Sequence, residues 1–186
     1  NNYNSSDYNL FLGHRRLSVI DLSLKGHQPM KFKNNWISYN GEIYNFIEIR
    51  EELISNGYDF VSSTDTEVVI KAYDFWGEKC LSKFNGMWSF VIWDNSKKSI
   101  FISNDRFGVK PLYFFKNNEL AIYSSEICQF KHISKLKLSV NTENCDLYLN
   151  HGYSPLDNTT YYNEVHRFPK SSFSWFNFNE KFILKI

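Results

Sequence analysis

Four short apolar runs, Met87–Trp93, Ser99–Ser103, Leu112–Phe115 and Glu119–Ser124, follow one another with only turn-forming stretches between them. This succession constrains the fold more than any other feature of the chain. The connections are Asp94–Lys97, the Arg106–Pro111 stretch and Asn117-Asn118, so the runs read as antiparallel strands of a meander. Ahead of the meander the pattern is helical. Ile43, Phe46, Ile47, Leu53 and Ile54 fall near one face at about 3.6 residues per turn, Glu and Arg occupy the other, and Asn56-Gly57 supplies a stop. Thr64 reads as the N-cap of a second helix, reciprocated by Glu67 in a capping box, which continues through Val68, Val69, Ala72 and Phe75 to Gly77.

The flanks complete the pattern. Leu10–Leu12 and Leu17–Leu22 read as short strands broken by Arg15-Arg16, and Trp36–Tyr39 as a strand ended by an Asn40-Gly41 turn. A short helix follows Ser125, another runs from Thr142 to His151 and stops at Gly152, and a final hairpin pairs Ser171–Phe176 with Lys181–Ile186. Helices layered on antiparallel sheets give an α+β architecture. With 186 residues, 42% hydrophobic and 18% aromatic, the chain suits a single domain spanning 1–186.

Charge excludes several functions. The 21 Lys and Arg against 20 Asp and Glu leave a net charge of +1, which offers no general attraction to nucleic acid or anionic membrane. The longest apolar run, Met87–Trp93, is too short to span a bilayer. The five histidines show no metal-ligand spacing, so no metal site is expected. Cys80, Cys128 and Cys145 are scattered, without a C-x-x-C pair, and read as small apolar residues in a reducing, cytoplasmic setting.

The most informative chemistry lies in Asn40-Gly41-Glu42-Ile43-Tyr44-Asn45. A glycine admits close backbone approach, its N–H can face a developing oxyanion, and an adjacent Asn side chain can add a second donor. Glu42 is then placed to hold an ammonium group. The competing reading is a plain turn at a strand end.

Two further segments bear on that choice. Gly13-His14-Arg15-Arg16-Leu17-Ser18-Val19-Ile20-Asp21-Leu22-Ser23, with Gly26-His27-Gln28-Pro29-Met30, and the block from Asp105 through Arg106-Phe107-Gly108-Val109-Lys110-Pro111-Leu112-Tyr113 to Ser124-Ser125-Glu126-Ile127, join Asn40–Asn45 in one order and spacing. Together they resemble the glutaminase domain of the glutamine-dependent asparagine synthetases, a class II glutamine amidotransferase, from about Leu10 to the C-terminus. The resemblance implies the four-layer αββα sandwich of N-terminal-nucleophile hydrolases, here without its first strand.

It also implies roles. Arg16 matches the arginine that grips the glutamine α-carboxylate, a task suited to a guanidinium fork; Leu17 and Val19 would add backbone contacts. The Asn40 side chain and the Gly41 N–H match the oxyanion hole. Glu42 and Asp65 match the carboxylates that receive the α-ammonium. Each has a blander alternative: Arg16 could pair with Asp21, and Asp65 could simply favour the positive end of a helix. Asp105, Arg106 and Lys110 read as braces rather than site residues, and His14 and His27 as structural.

The family's nucleophile is an N-terminal cysteine, whereas this sequence opens Asn1-Asn2-Tyr3. The expectation is a truncated domain, inactive alone, that binds L-glutamine. In the family the glutaminase domain supplies ammonia to a synthetase domain that amidates aspartate with ATP and Mg; the phosphate-binding Ser-Gly-Gly-x-Asp-Ser loop of that domain does not occur here, so no cofactor is expected in this chain. Expected partners are a synthetase domain or subunit and a second copy in a homodimer. The alternatives are a non-catalytic glutamine- or partner-binding module and an amidotransferase domain serving a different ligase.

Overall fold

The computed structural model describes residues 2–4, 9–15, 21, 23–155, 157–177 and 183–185. At its centre is a six-stranded antiparallel sheet in the order β11-β10-β6-β5-β4-β3, formed by Met30–Phe32 (β3), Asn35–Ile43 (β4), Gly86–Asp94 (β5), Ser99–Asn104 (β6), Phe173–Phe176 (β10) and Ile183–Lys185 (β11). A second, three-stranded sheet has the order β8-β7-β9, with Tyr113–Lys116 (β7), Ala121–Ser124 (β8) and His166–Arg167 (β9). Asn2–Asn4 (β1) and Asn9–Phe11 (β2) pair separately. The strand expected over Leu17–Leu22 falls outside the described residues apart from Asp21.

Alternation along the strands builds two cores, because successive side chains point to opposite faces. Ile37 and Tyr39 of β4, Phe90 and Ile92 of β5 and Phe101 of β6 face one way, against Ile49 and Leu53 of helix α1 (Phe46–Ser55) and Val68, Val69, Ala72 and Tyr73 of α2 (Asp65–Trp76). The intervening Trp93, Ile100 and Ile102 face the other way, where they meet Leu112 and Phe168, with Phe114 and Tyr123 of the small sheet packed alongside. The meander of the sequence reading is therefore divided: β5 and β6 close one hairpin, β7 and β8 another, and the Asp105–Leu112 connection carries the chain from one sheet to the other.

The α+β layering and the presence of both helices follow the expected pattern, but the face read for α1 does not: strand pairing with β5 keeps Ile43 in β4, α1 starts only at Phe46, Ile47 and Ile54 are exposed, and Ile49 and Leu53 are the residues it buries. Thr64 caps α2 by accepting from the Glu67 N–H at 3.3 Å. The reciprocal half of the capping box is absent: the buried Glu67 carboxylate instead accepts from the Val61 and Ser62 N–H groups and from Lys71 Nζ at 2.7 Å. A short helix α3 covers Cys80–Lys83, and the helix after Ser125 is a 3-10 turn over Ile127–His132. Helix α4 (Thr142–His151) starts at the Asn141 cap and ends at Gly152, whose φ of 70° is open to glycine at little cost. Among the described residues no helix is long and apolar enough to cross a membrane.

One local expectation is overturned. Asn40-Gly41 is not a turn, because β4 runs straight through it to Ile43, in register with β5 from Trp36↔Trp93 to Ile43↔Gly86. Pairing with a long neighbour outweighs the local turn preference of the dipeptide.

Candidate active site

Strand β3 covers only the first part of β4, pairing Met30–Phe32 with Asn35–Ile37. The outer edge of β4 from Ser38 to Ile43 is left without a strand partner among the described residues. Two of its N–H groups are taken by side chains instead. Gln28 Oε1 accepts from the Tyr39 N–H at 2.7 Å, and Asp65 Oδ2 accepts from the Ile43 N–H at 3.0 Å. The Tyr44 N–H, one residue on, bonds inward to Asn85 O at 2.7 Å. Backbone direction alternates with a period of two, so the Gly41 N–H, between Tyr39 and Ile43, points out of the same edge. No described residue accepts from it.

Gly41 is fixed by packing as well. A Cβ there would collide with Met87 O and come within 2.7 Å of Tyr39 Cε2 and 2.8 Å of Trp88 Cα. The bare backbone lets β4 lie close to β5 with the Tyr39 ring tucked beside it.

Asn40, Gly41, Glu42 and Asp65 line one cavity of about 550 Å³. Asn40 and Glu42 share the face of β4 opposite the buried Tyr39 and Ile43, so their side chains project between the two sheets. The far wall is made by Leu112 and the β8 end, from Tyr123 to Glu126, with Lys110 beside them and Arg15 at the rim. Among the described residues the Asn40 carboxamide makes no hydrogen bond, and neither Glu42 nor Asp65 has a Lys or Arg within ion-pair distance.

Asp65 is set into this wall by the first turn of α2. It is only 5% exposed, and its Oδ2 also accepts from Tyr39 Oη at 2.6 Å. Burial pushes its carboxyl above the ordinary range, against the hydrogen bonds from Tyr39 and the Ile43 N–H, and the nearby Glu42 charge adds to the rise. Among the described residues this acidic corner has no cation within ion-pair distance.

The loop before Asp65 is held from two sides. Arg50 of α1 donates to Ser62 O at 2.8 Å and Thr64 O at 3.2 Å, while its guanidinium lies 4.4 Å from the centre of the Phe60 ring. On the other side the Glu67 carboxylate gathers Val61 and Ser62, and Asp21 Oδ2 accepts from the Ser63 N–H at 3.0 Å.

Asp105 is fully buried and accepts from the Trp88, Phe107, Val109 and Lys110 N–H groups, and Arg106 donates to Phe84 O at 2.8 Å. Both brace the connection between sheets. Lys110 alone of that loop's charges reaches the cavity.

Arg16, Leu17 and Val19 lie outside the described residues. Gln28 lies in one of the motif blocks without an assigned role, and Tyr39 reads only as the end of a strand; their contacts with β4 and Asp65 bring both to the site. None of the three cysteines lines the cavity: Cys80 is buried under α2, where burial pushes its thiol far up, Cys128 is exposed and Cys145 lies on α4. Among the described residues no group of three His, Cys, Asp or Glu could hold a metal ion.

A sequence model described as a glutamine amidotransferase domain matches residues 1–183. A putative glutamine-hydrolysing asparagine synthetase of Methanocaldococcus jannaschii is 39% identical over 180 residues, which covers 87% of this chain and 34% of the relative. Asparagine synthetase 1 of Bacillus subtilis, also glutamine-hydrolysing, is 42% identical over 122 residues, covering 64% and 19%. The chain thus spans about a third or less of these relatives' length. Among solved structures, glutamine phosphoribosylpyrophosphate amidotransferase from B. subtilis, complexed with ADP and GMP, superposes with a TM-score of 0.66 at 18% identity, over 92% of this chain and 33% of that one. This bears on the fold, and agrees with the α+β sandwich of N-terminal-nucleophile type expected from the sequence. The match over nearly every residue, joined to relatives of this identity, shows that the chain belongs to the glutamine amidotransferase domain family.

Proposed function

We propose that the cavity binds L-glutamine for amide hydrolysis. The observation that carries this reading is the Gly41 N–H, unspent among the described residues, at a strand edge it shares with Asp65, on a cavity where Glu42 and Asp65 have no described Lys or Arg within ion-pair distance. An oxyanion needs donors fixed in advance, and a backbone N–H held by strand pairing costs nothing to orient at the moment of reaction. The Asn40 carboxamide supplies the second donor. The α-ammonium sits between Glu42 and Asp65, which relieves the buried negative charge there, and Arg16 receives the α-carboxylate with Leu17 and Val19 beside it.

Attack on the carboxamide carbon requires a thiolate, which would form a glutamyl thioester and release ammonia. Cys80, Cys128 and Cys145 do not supply it. In the fuller reading the ammonia serves a synthetase domain or subunit that amidates aspartate with ATP and Mg, as in enzymes of the kind named for the relatives. This chain carries the glutamine side of that reaction.

Calorimetry with L-glutamine tests the reading. The Asp65→Asn variant keeps an oxygen to accept from Tyr39 and Ile43, so the fold stays, but the ammonium loses a buried charged partner. Such a loss costs about 2–5 kcal/mol, a drop in affinity of about thirtyfold or more. Equal affinity in parent and variant would remove Asp65 from the site.

A further inference from the structure

Resting on the glutamine reading, we infer that Tyr39 is a positioning residue: its phenolic hydroxyl aims and holds the Asp65 carboxylate for the ligand's ammonium group. Nothing in the motif assigns it this task. Tyr39 points to the helix side of β4, away from the face that carries Asn40 and Glu42, yet its hydroxyl donates to Asp65 Oδ2 at 2.6 Å. The same oxygen accepts from the Ile43 N–H, so one carboxylate oxygen is anchored by two donors from β4. The carboxylate is thereby tied to the strand that bears Gly41, and the distance between ammonium site and oxyanion donor is set through Tyr39.

The ring is itself well fixed. Its backbone N–H is held by Gln28, whose Nε2 donates to Thr66 Oγ1 at 3.2 Å, and its edge occupies the space a side chain on Gly41 would need. Burial, and then the charge of Asp65, keep the phenol protonated well above its ordinary range, so it remains a donor at any working pH.

Among the described residues, the charged groups around Asp65 included, Tyr39 is its one side-chain hydrogen-bond donor. From β4 comes Glu42, a like charge. From α1 comes Arg50, spent on the Ser62 and Thr64 carbonyls. On α2 itself, Glu67 is paired with Lys71. His14, Arg15, Lys110 and Glu126 face the same cavity; they are common to parent and variant and cancel in a comparison.

The test is glutamine binding by calorimetry over a pH series, with the parent, Tyr39→Phe, Asp65→Asn and the double variant, each checked for its melting temperature. Phe keeps the ring and removes only the hydroxyl. The expected result is affinity about tenfold weaker at neutral pH, as for loss of a hydrogen bond to a charged group. The acid limb of binding should move to higher pH, because a carboxylate without that donor protonates sooner. In the Asp65→Asn background the Tyr39→Phe change should add little. A parent that binds while Tyr39→Phe keeps its affinity, or weakens without any move of the acid limb, overturns the assignment and leaves the glutamine reading standing. A parent that binds no glutamine overturns that reading first and this inference with it.

Discussion

Replacing Gly41 by alanine gives a sharp check on how the site is built. The added methyl meets Met87 O and Trp88 Cα, both backbone atoms of the paired strand β5, and Tyr39 Cε2, on a ring tethered through its hydroxyl to Asp65. None of these can swing aside as a surface side chain could. Overpacking of this kind costs about 1–3 kcal/mol. Alanine recovers about 0.4–1 kcal/mol by narrowing the unfolded ensemble, which leaves a net loss of about 1–2 kcal/mol. For a chain of this size that lowers the melting temperature by about 2–8 °C. Denaturant titration followed by tryptophan fluorescence should show the midpoint falling at an unchanged slope. Gly13→Ala is the control, since nothing lies within 4 Å of a Cβ there. If Gly41→Ala matches the parent, or Gly13→Ala does equal damage, the close approach of β4 and β5 is wrongly described.

Two further outcomes follow from the supporting residues. Burial works against the charge of Glu67, but bonds from Lys71, Ser62 and Val61 outweigh it and hold the carboxyl below its ordinary 4.5; the stability it contributes is present above that value and drains away as pH falls through the lower folded one. Glu67→Gln should flatten that stretch of an acid-denaturation curve and cost about 3 kcal/mol at neutral pH by leaving Lys71 uncompensated; an unchanged curve would count against the network. Because none of the cysteines lines the cavity, Cys80→Ala, Cys128→Ala and Cys145→Ala should each leave glutamine affinity unaltered. The polypeptide of this sequence should release no glutamate from glutamine in a coupled assay, and release abolished by any of these variants would reassign the nucleophile.

The sequence carried the elements whose causes are local. The Thr64 cap, the αL glycine ending α4 and the extent of α2 are decided within a few residues of each other, and they emerge as read; the apolar face read for α1 does not, since Ile43 is drawn into β4 and Ile47 and Ile54 are exposed. Misreadings arise where a distant partner decides. Asn40-Gly41 has the composition of a turn, but eight cross-strand pairs with β5 draw it into the strand. Glu67 has the spacing of a capping box, but the loop at Val61–Ser62 offers it more donors. The meander divides between sheets because Asp105 spends its carboxylate on four backbone N–H groups and turns the chain. The roles of Gln28 and Tyr39 are not legible in the sequence for the same reason: Gln28 acts by accepting from a strand 11 residues on, and Tyr39 by reaching Asp65, 26 residues away. Asn40, Gly41 and Glu42 were legible through a motif and Asp65 through the family resemblance, and the structure gathers the four around one hollow.

The part-covered border of β4 has a consequence beyond catalysis. A bare row of strand donors invites another polypeptide to zip onto it. Here the donors on either side are stoppered by Gln28 and Asp65, so an incoming chain finds no ladder to climb, while the Gly41 N–H between them has no acceptor among the described residues. The same two stoppers thus guard against self-association and leave one donor free between them, and a variant that loosened either is expected to aggregate more readily.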